Sequence, residues 1–186
     1  MPNKPVAVLP LWAAIVTAIA SGPIMDAGFP DKSFWPVTFV GIALMLVALR
    51  GRSTGSALLV GFVGGFAFYL THISWASLFL GPVPMLALSF LESLFVALGG
   101  LALALAYRWI PRVYGAGWGA TLGLAVVVSG LWTAREAWMS VWPYGGFSWG
   151  RVALSQSESP LSPLFPWLGV SGVSFAMVLV VALCLS

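Results

Sequence analysis

Four ionisable side chains stand inside long apolar runs of this 186-residue sequence: His72, Glu92, Arg135 and Glu136. Charged groups in hydrocarbon are costly, so those that persist there serve a site or a pairing. Two chemistries suit the set. A guanidinium offers a planar fork to phosphate or carboxylate, so Arg135, with Glu136 beside it, could hold a polar head group. His72 and Glu92 could instead relay a proton or an ion. The structural alternative is equally concrete: Arg135 pairs with Glu92 or Glu136 to pin helices, and His72 is a hydrogen-bonded packing residue.

Elsewhere the chemistry is thin. A serine nucleophile such as Ser155 needs a histidine base and an orienting acid, and the single histidine lies in another apolar run with no motif around it. Cys184 is flanked by Val, Ala and Leu, where a thiolate has nothing to stabilise it, and is expected to be a buried, inert hydrophobe. One cysteine excludes an internal disulfide and a Cys-based metal site. No phosphate-cradling glycine motif, metal-ligand cluster or pair of catalytic carboxylates is present, so no cofactor or metal is expected. Eight Lys and Arg without a basic cluster exclude a nucleic-acid surface.

The elements that must position these residues follow from composition. The sequence is 60% hydrophobic and 7% charged, against roughly 25% charged in soluble domains, which predicts an all-α, polytopic membrane bundle. With about 20 apolar residues per crossing, one membrane-spanning domain over 1–186 has six spans, at 6–25, 34–49, 56–78, 85–108, 117–138 and 168–185. Alternating passage puts Lys4, Arg50, Arg52, Arg108 and Arg112 on one side, which the positive-inside rule makes the cytoplasm. The amino terminus is then inside, and loops 26–33, 79–84 and 139–167 face outward. Trp35, Trp75, Trp138, Trp142, Trp149 and Trp167 fall near that outer interface, where an amphipathic indole sits well. Lys4, the apolar stretch and Ala18-Ile19-Ala20 also resemble a signal peptide, although the apolar run continues past Ala20. Four-residue glycine spacing at Gly61 and Gly65, and at Gly115, Gly119 and Gly123, signals close helix packing.

On this frame the four ionisable residues share the outer half of the bundle and can form one polar pocket opening toward the loop of 139–167. That loop spends about 29 residues on Gly, Ser, Pro and Trp, long for a structureless connection between packed elements. Trp142, Trp149 and Trp167 argue against disorder. A folded loop lying on the membrane, and carrying the function, is expected.

Its ordered features resemble the apolipoprotein N-acyltransferases of bacterial lipoprotein maturation. Trp132 and Glu136 stand four residues apart near the outer end of a span. Gly146-Phe147-Ser148-Trp149 follows, then Ser155-Gln156, Pro160-Leu161 and Gly169-Val170-Ser171-Gly172-Val173-Ser174-Phe175. Phe29-Pro30, Phe34-Trp35-Pro36 and Trp75, placed in the third span, resemble the family as well. Ser148 stands where the family has proline, which loosens the turn. The resemblance implies a bacterial inner-membrane acyltransferase that moves an acyl chain from a phospholipid donor to the α-amine of a diacylglyceryl lipoprotein. It also implies that the family's Glu-Lys-Cys catalytic residues lie in a nitrilase-like domain beyond a seventh span, so that this sequence is an amino-terminal membrane portion, inactive alone. The spans would then hold lipid substrates through Trp149, Phe147, Gly146, Arg135, Glu136, Gln156 and Trp75, with Glu136 fixing Arg135 or the loop backbone.

Two other classes stay open. A small transporter would use His72 and Glu92, against which stands the lack of an internal repeat. A non-catalytic anchor or partner subunit is compatible with relatives fused to, or working beside, a polyprenol-phosphate mannose synthase.

Overall fold

The computed structural model describes residues 7–186 apart from Ala116. Every regular element among them is helical: α1 Leu11–Asp26, α2 Pro36–Leu49, α3 Thr54–His72, the single turn α4 Ser77–Leu80, α5 Pro82–Tyr114, α6 Trp118–Met139 and α7 Phe165–Cys184. Local chemistry sets the boundaries. Proline occupies the first turns of α2, α5 and α7, where its missing N–H costs nothing. Gly81 and Gly115, both at positive φ, bracket α5.

Among the described residues three helices are long and apolar enough to cross a membrane: Thr54–His72, Pro82–Val113 and Ser162–Cys184, the last including a turn ahead of α7. This is the composition of a membrane protein. α1 and α2 are apolar but shorter, because α1 starts only after an extended Pro10 and α2 starts at Pro36. The third element also departs from expectation. α3 stops at His72, and a 3-10 turn over Ser74–Ala76, in which the Ser77 hydroxyl donates to the Ser74 carbonyl at 2.7 Å, leads into α4. His72 is therefore a terminal residue, and Trp75 sits in the turn rather than inside a span.

Neighbouring helices meet in a ring: α2 on α1, α1 on α3, α3 on α5, α5 on α6, α6 on α7, and α7 back on α2. Ile42, Leu46 and Leu49 of α2 are fully buried with Val60, Val128 and Val178. In lipid such contacts gain from packing rather than from leaving water, so small residues decide how closely helices approach. A Cβ on Gly61 would lie 2.8 Å from the Val96 carbonyl oxygen, and one on Gly65 2.7 Å from Val96 Cβ. These glycines seat α3 on α5. The second glycine series does not act in this way: a Cβ on Gly115, Gly119 or Gly123 meets nothing within 4 Å.

At one end of the ring arginines satisfy backbone carbonyls. Arg50 donates to the Leu185 carbonyl at 2.6 Å, Arg52 to those of Ala48 at 3.0 Å and Leu9, and Arg108 to that of Arg52 at 2.5 Å. Carbonyls at helix C-termini lack intrahelical donors, so these cations close α2 and α7. Cys184 lies at this end and is exposed rather than buried, since the last turn of α7 presents it away from the ring. Lys4 lies outside the described residues.

Candidate functional site

The long loop begins by folding back on α6. The Phe147 N–H donates to the Met139 carbonyl at 2.7 Å and the Gly146 N–H to that of Pro143 at 2.8 Å. Gly146 has φ +73°, and a Cβ there would lie 2.3 Å from the carbonyl carbon of Ser140, so only glycine fits this turn. The chain is thereby carried over the end of α3. Phe147 meets Tyr69 edge-on, with centroids 6.1 Å apart, and Trp149 lies 5.7 Å from Trp75 and 6.4 Å from Phe147, roughly parallel to both. Trp149 is 59% exposed and Trp75 45%. The three rings form an aromatic shelf, open at the two tryptophans and half-buried at Phe147.

Beneath the shelf the loop hangs on buried polar groups. Glu136 Oε1 accepts from Trp132 Nε1–H at 2.8 Å and from the Val152 N–H at 3.1 Å. Val152–Gln156 forms a buried 3-10 turn, and the Ala153 N–H donates to Ser174 Oγ of α7 at 3.3 Å. Gln156, fully buried, donates from Nε2 to Ser155 Oγ at 2.9 Å and to the Trp35 carbonyl at 3.4 Å. The Ser33 hydroxyl donates to Glu158 at 2.5 Å. Buried polar groups need such partners, and here the loop draws them from α6 through Glu136, from α7 through Ser174, and from the segment before α2 through Trp35 and Ser33.

A second cluster holds the shelf from below. Asp26, buried at the end of α1, accepts at Oδ1 from His72 Nδ1 at 2.9 Å and at Oδ2 from Lys32 Nζ at 2.6 Å. Nε2 of His72 lies 3.1 Å from the Trp149 carbonyl oxygen. Phe29 meets the imidazole edge-on and Phe68 stacks on it. Burial raises the Asp26 carboxyl, but the hydrogen bonds and charges of His72 and Lys32 outweigh it and hold the group below its ordinary value.

Arg135 is set apart from this cluster. Its guanidinium lies 5.0 Å from the centroid of Trp132, 3.7 Å from Glu136 Oε1, and 3.4 Å from the Met139 sulfur. Glu92 and Tyr69 are within its electrostatic reach. It borders a narrow apolar cleft shared with Met25, Met45, Phe68, Val96 and Trp132. The four ionisable residues singled out in the sequence thus divide in two: Arg135 lines the cleft with Glu136 beside it and Glu92 within its electrostatic reach, and His72 belongs with Asp26 and Lys32. Asp26 and Lys32 were not among them. A carboxylate closing an apolar run, six residues before a lysine, was their only signal. Among the described residues no group of three His, Cys, Asp or Glu could hold a metal.

An apolar helical ring carrying a folded aromatic loop at one end describes a class of membrane protein, and comparison with known sequences gives the family. Residues 21–183 match the family described as the apolipoprotein N-acyltransferase N-terminal domain, and the chain belongs to it. Similar proteins include the apolipoprotein N-acyltransferase of Azotobacter vinelandii strain DJ, 32% identical over 184 residues, covering 94% of this chain and 34% of that protein. The enzyme of the same name from Pseudomonas syringae pv. tomato is 32% identical over 181 residues (94% and 35%), and that of Photobacterium profundum 30% over 179 (89% and 32%). The chain spans about a third of the length of these curated relatives.

Proposed function

We propose that this chain is the lipid-holding membrane part of an apolipoprotein N-acyltransferase. In the reaction proposed, a phospholipid gives its acyl chain to an activated cysteine as a thioester, and the α-amine of a diacylglyceryl lipoprotein then accepts it. Splitting one acyl transfer into two lowers each barrier, but both substrates are greasy and must be presented in turn. That is work of proximity and orientation. We assign it to the six-span bundle, amino terminus cytoplasmic in a bacterial inner membrane, with 139–167 facing outward beneath the catalytic part.

The observation that carries this reading is the aromatic shelf: exposed Trp149 lies between half-buried Phe147 of the long loop and exposed Trp75 of the turn after α3, above a buried turn, Val152–Gln156, held by hydrogen bonds to its neighbours. Two open indoles backed by Phe147 suit a flexible acyl chain, because the indole face is apolar while its N–H can stay wet. Gly146 shapes the turn, Glu136 and Gln156 hold the loop, and Arg135 takes the lipid phosphate. A relay through His72 and Glu92 has less support, since both ring nitrogens of His72 already have partners.

The test compares Trp149→Ala with Trp109→Ala, an exposed tryptophan at the arginine end. Each is made in the chain joined to the remaining two thirds of a relative. Lipoprotein N-acylation should fall roughly tenfold or more for Trp149→Ala, about 1.4 kcal/mol of transition-state stabilisation, and stay near wild type for Trp109→Ala. Equal losses that track the amount of folded protein would reduce Trp149 to an interfacial anchor.

A further inference from the structure

We propose that His72 is a positioning residue that acts as an imidazolium, tying the backbone of Trp149 to Asp26 and so fixing the aromatic shelf. Both of its partners can only accept: the Asp26 carboxylate at 2.9 Å from Nδ1 and the Trp149 carbonyl at 3.1 Å from Nε2. A neutral imidazole has one N–H and one lone pair. Either neutral tautomer therefore sets a nitrogen lone pair against an oxygen lone pair. Only the doubly protonated ring donates to both.

The surroundings suit that cation. Lys32 occupies the other oxygen of Asp26, which leaves Oδ1 for the ring. Phe68 lies 5.0 Å away, tilted by 13°, and presents the π face that attracts a cation. Asp26 from α1 and Lys32 from the following loop are the titratable groups of this cluster; the long loop contributes a backbone carbonyl. The tie joins α1 and α3 to the residue on which the proposed acyl handling depends, and in that sense it rests on the functional reading above. When the ring loses a proton the weaker contact, to the carbonyl, gives way, and Trp149 loses its register on Trp75.

The sequence makes the test clean. It has one histidine, and only Trp118-Gly119 and Trp149-Gly150 are Trp-Gly pairs. Tag-free chain in phosphatidylcholine nanodiscs, labelled with ring-15N histidine, 13C-carbonyl tryptophan and 15N glycine, gives one imidazole and two carbonyl signals. It is titrated from about pH 5 to 9, a range in which imidazole changes charge. The expected result is two ring N–H groups at the acidic end, with any later loss of one accompanied by movement of the Trp149 carbonyl while Trp118 stays fixed. His72→Phe keeps a ring between Phe29 and Phe68 but donates nothing, so its Trp149 carbonyl should be displaced and insensitive to pH. His72→Leu, which also donates nothing, serves if that variant does not fold, as circular dichroism and thermal unfolding will report. Two ring protons persisting to pH 9 support the proposal if the variant displaces the Trp149 carbonyl. A single ring proton at the acidic end, a Trp149 carbonyl indifferent to His72, or equal movement at Trp118 overturns it. In the protein joined to the rest of a relative, His72→Phe should cut acylation roughly ten- to a hundredfold, as expected for a misplaced positioning group. Trp149→Ala without effect there would sink the functional reading and leave the NMR result standing.

Discussion

Asp26 and His72, 46 positions apart, meet at 2.9 Å where α1 and α3 end together. Lys32 lies 2.6 Å from the other oxygen of Asp26, so one carboxylate gathers two donors. Burial alone would raise that carboxyl, and the two donors more than reverse it, so folding depresses its pKa below the ordinary 3.8. A depressed carboxyl contributes stability that is fully present above the unfolded value and is lost as pH falls through the folded one. Thermal unfolding in detergent, followed from pH 7 to 3, should therefore show wild type losing stability relative to Asp26→Asn below pH about 4. A constant difference between the two across the range would mean that the cluster contributes no linkage.

Glu136 holds the loop with one oxygen. Replacing it by Ala strands the Val152 N–H and the Trp132 indole N–H, both bonded to Oε1, and each buried unpaired donor costs about 1–3 kcal/mol. Glu136→Ala should lower the melting temperature and expose the chain around Val152–Gln156 to protease. Glu136→Gln, which keeps an acceptor oxygen, should do so less. Equal susceptibility of Ala and Gln variants would assign the role to charge rather than to the hydrogen bonds.

How much of this was legible in the sequence depends on distance along the chain. Helix existence follows from apolar runs; apolarity alone sets three starts at 34, 85 and 168, whereas the prolines at 36, 82 and 166, acting within a turn, mark them at Pro36, Pro82 and Phe165. The Gly146 turn is local too: φ +73° and a clash with Ser140 six residues back explain why glycine stands there. Gly61 and Gly119 look alike in sequence, yet only the first meets a neighbour, because spacing does not say which face of a helix is covered. The pairing of Asp26 with His72 was hidden for the same reason. It forms only when α1 and α3 are docked in register. The end of α3 at His72 was obscured by an apolar run that continues through a turn.

Orientation is testable directly. Ser53 and Ser157 are both exposed, at opposite ends of the ring. In a Cys184→Ser background, Ser157→Cys should react with a membrane-impermeant thiol reagent in intact spheroplasts and Ser53→Cys only after lysis, as expected if the basic end is cytoplasmic. Labelling in the reverse order would invert the proposed topology.

Arg135 is held by a π face at 5.0 Å, a thioether at 3.4 Å and a carboxylate at 3.7 Å. Lysine keeps the charge but not the planar fork. If Arg135 clamps a phosphate, Arg135→Lys should leave the bundle folded and weaken its binding of phospholipid over diacylglycerol by about tenfold, or 1.4 kcal/mol. If Glu92→Gln and Arg135→Gln each destabilise the fold and the double variant is no worse than one, the residue is a structural partner of Glu92 and the clamp fails.

The sharpest division between holding and reacting concerns the thiol. Cys184 is the single cysteine, and it lies one residue from Leu185, whose carbonyl Arg50 binds. That places it at the arginine end, opposite the shelf of Phe147 and Trp149. A nucleophilic thiolate needs a neighbouring cation, base or helix N-terminus; the last turn of α7 presents the reverse dipole, and the Arg50 guanidinium at this end is engaged by the Leu185 carbonyl. Exposure alone does not activate it. A chain of these 186 residues, mixed with phospholipid and a diacylglyceryl lipopeptide, should therefore give no N-acylated product, and Cys184→Ser should change nothing. Joined to the rest of a relative, the same chain should support turnover with or without Cys184. Hydroxylamine-sensitive acyl label on Cys184, appearing together with product and lost in Cys184→Ser, would put the chemistry at the wrong end of the bundle and overturn the assignment of these helices to lipid holding.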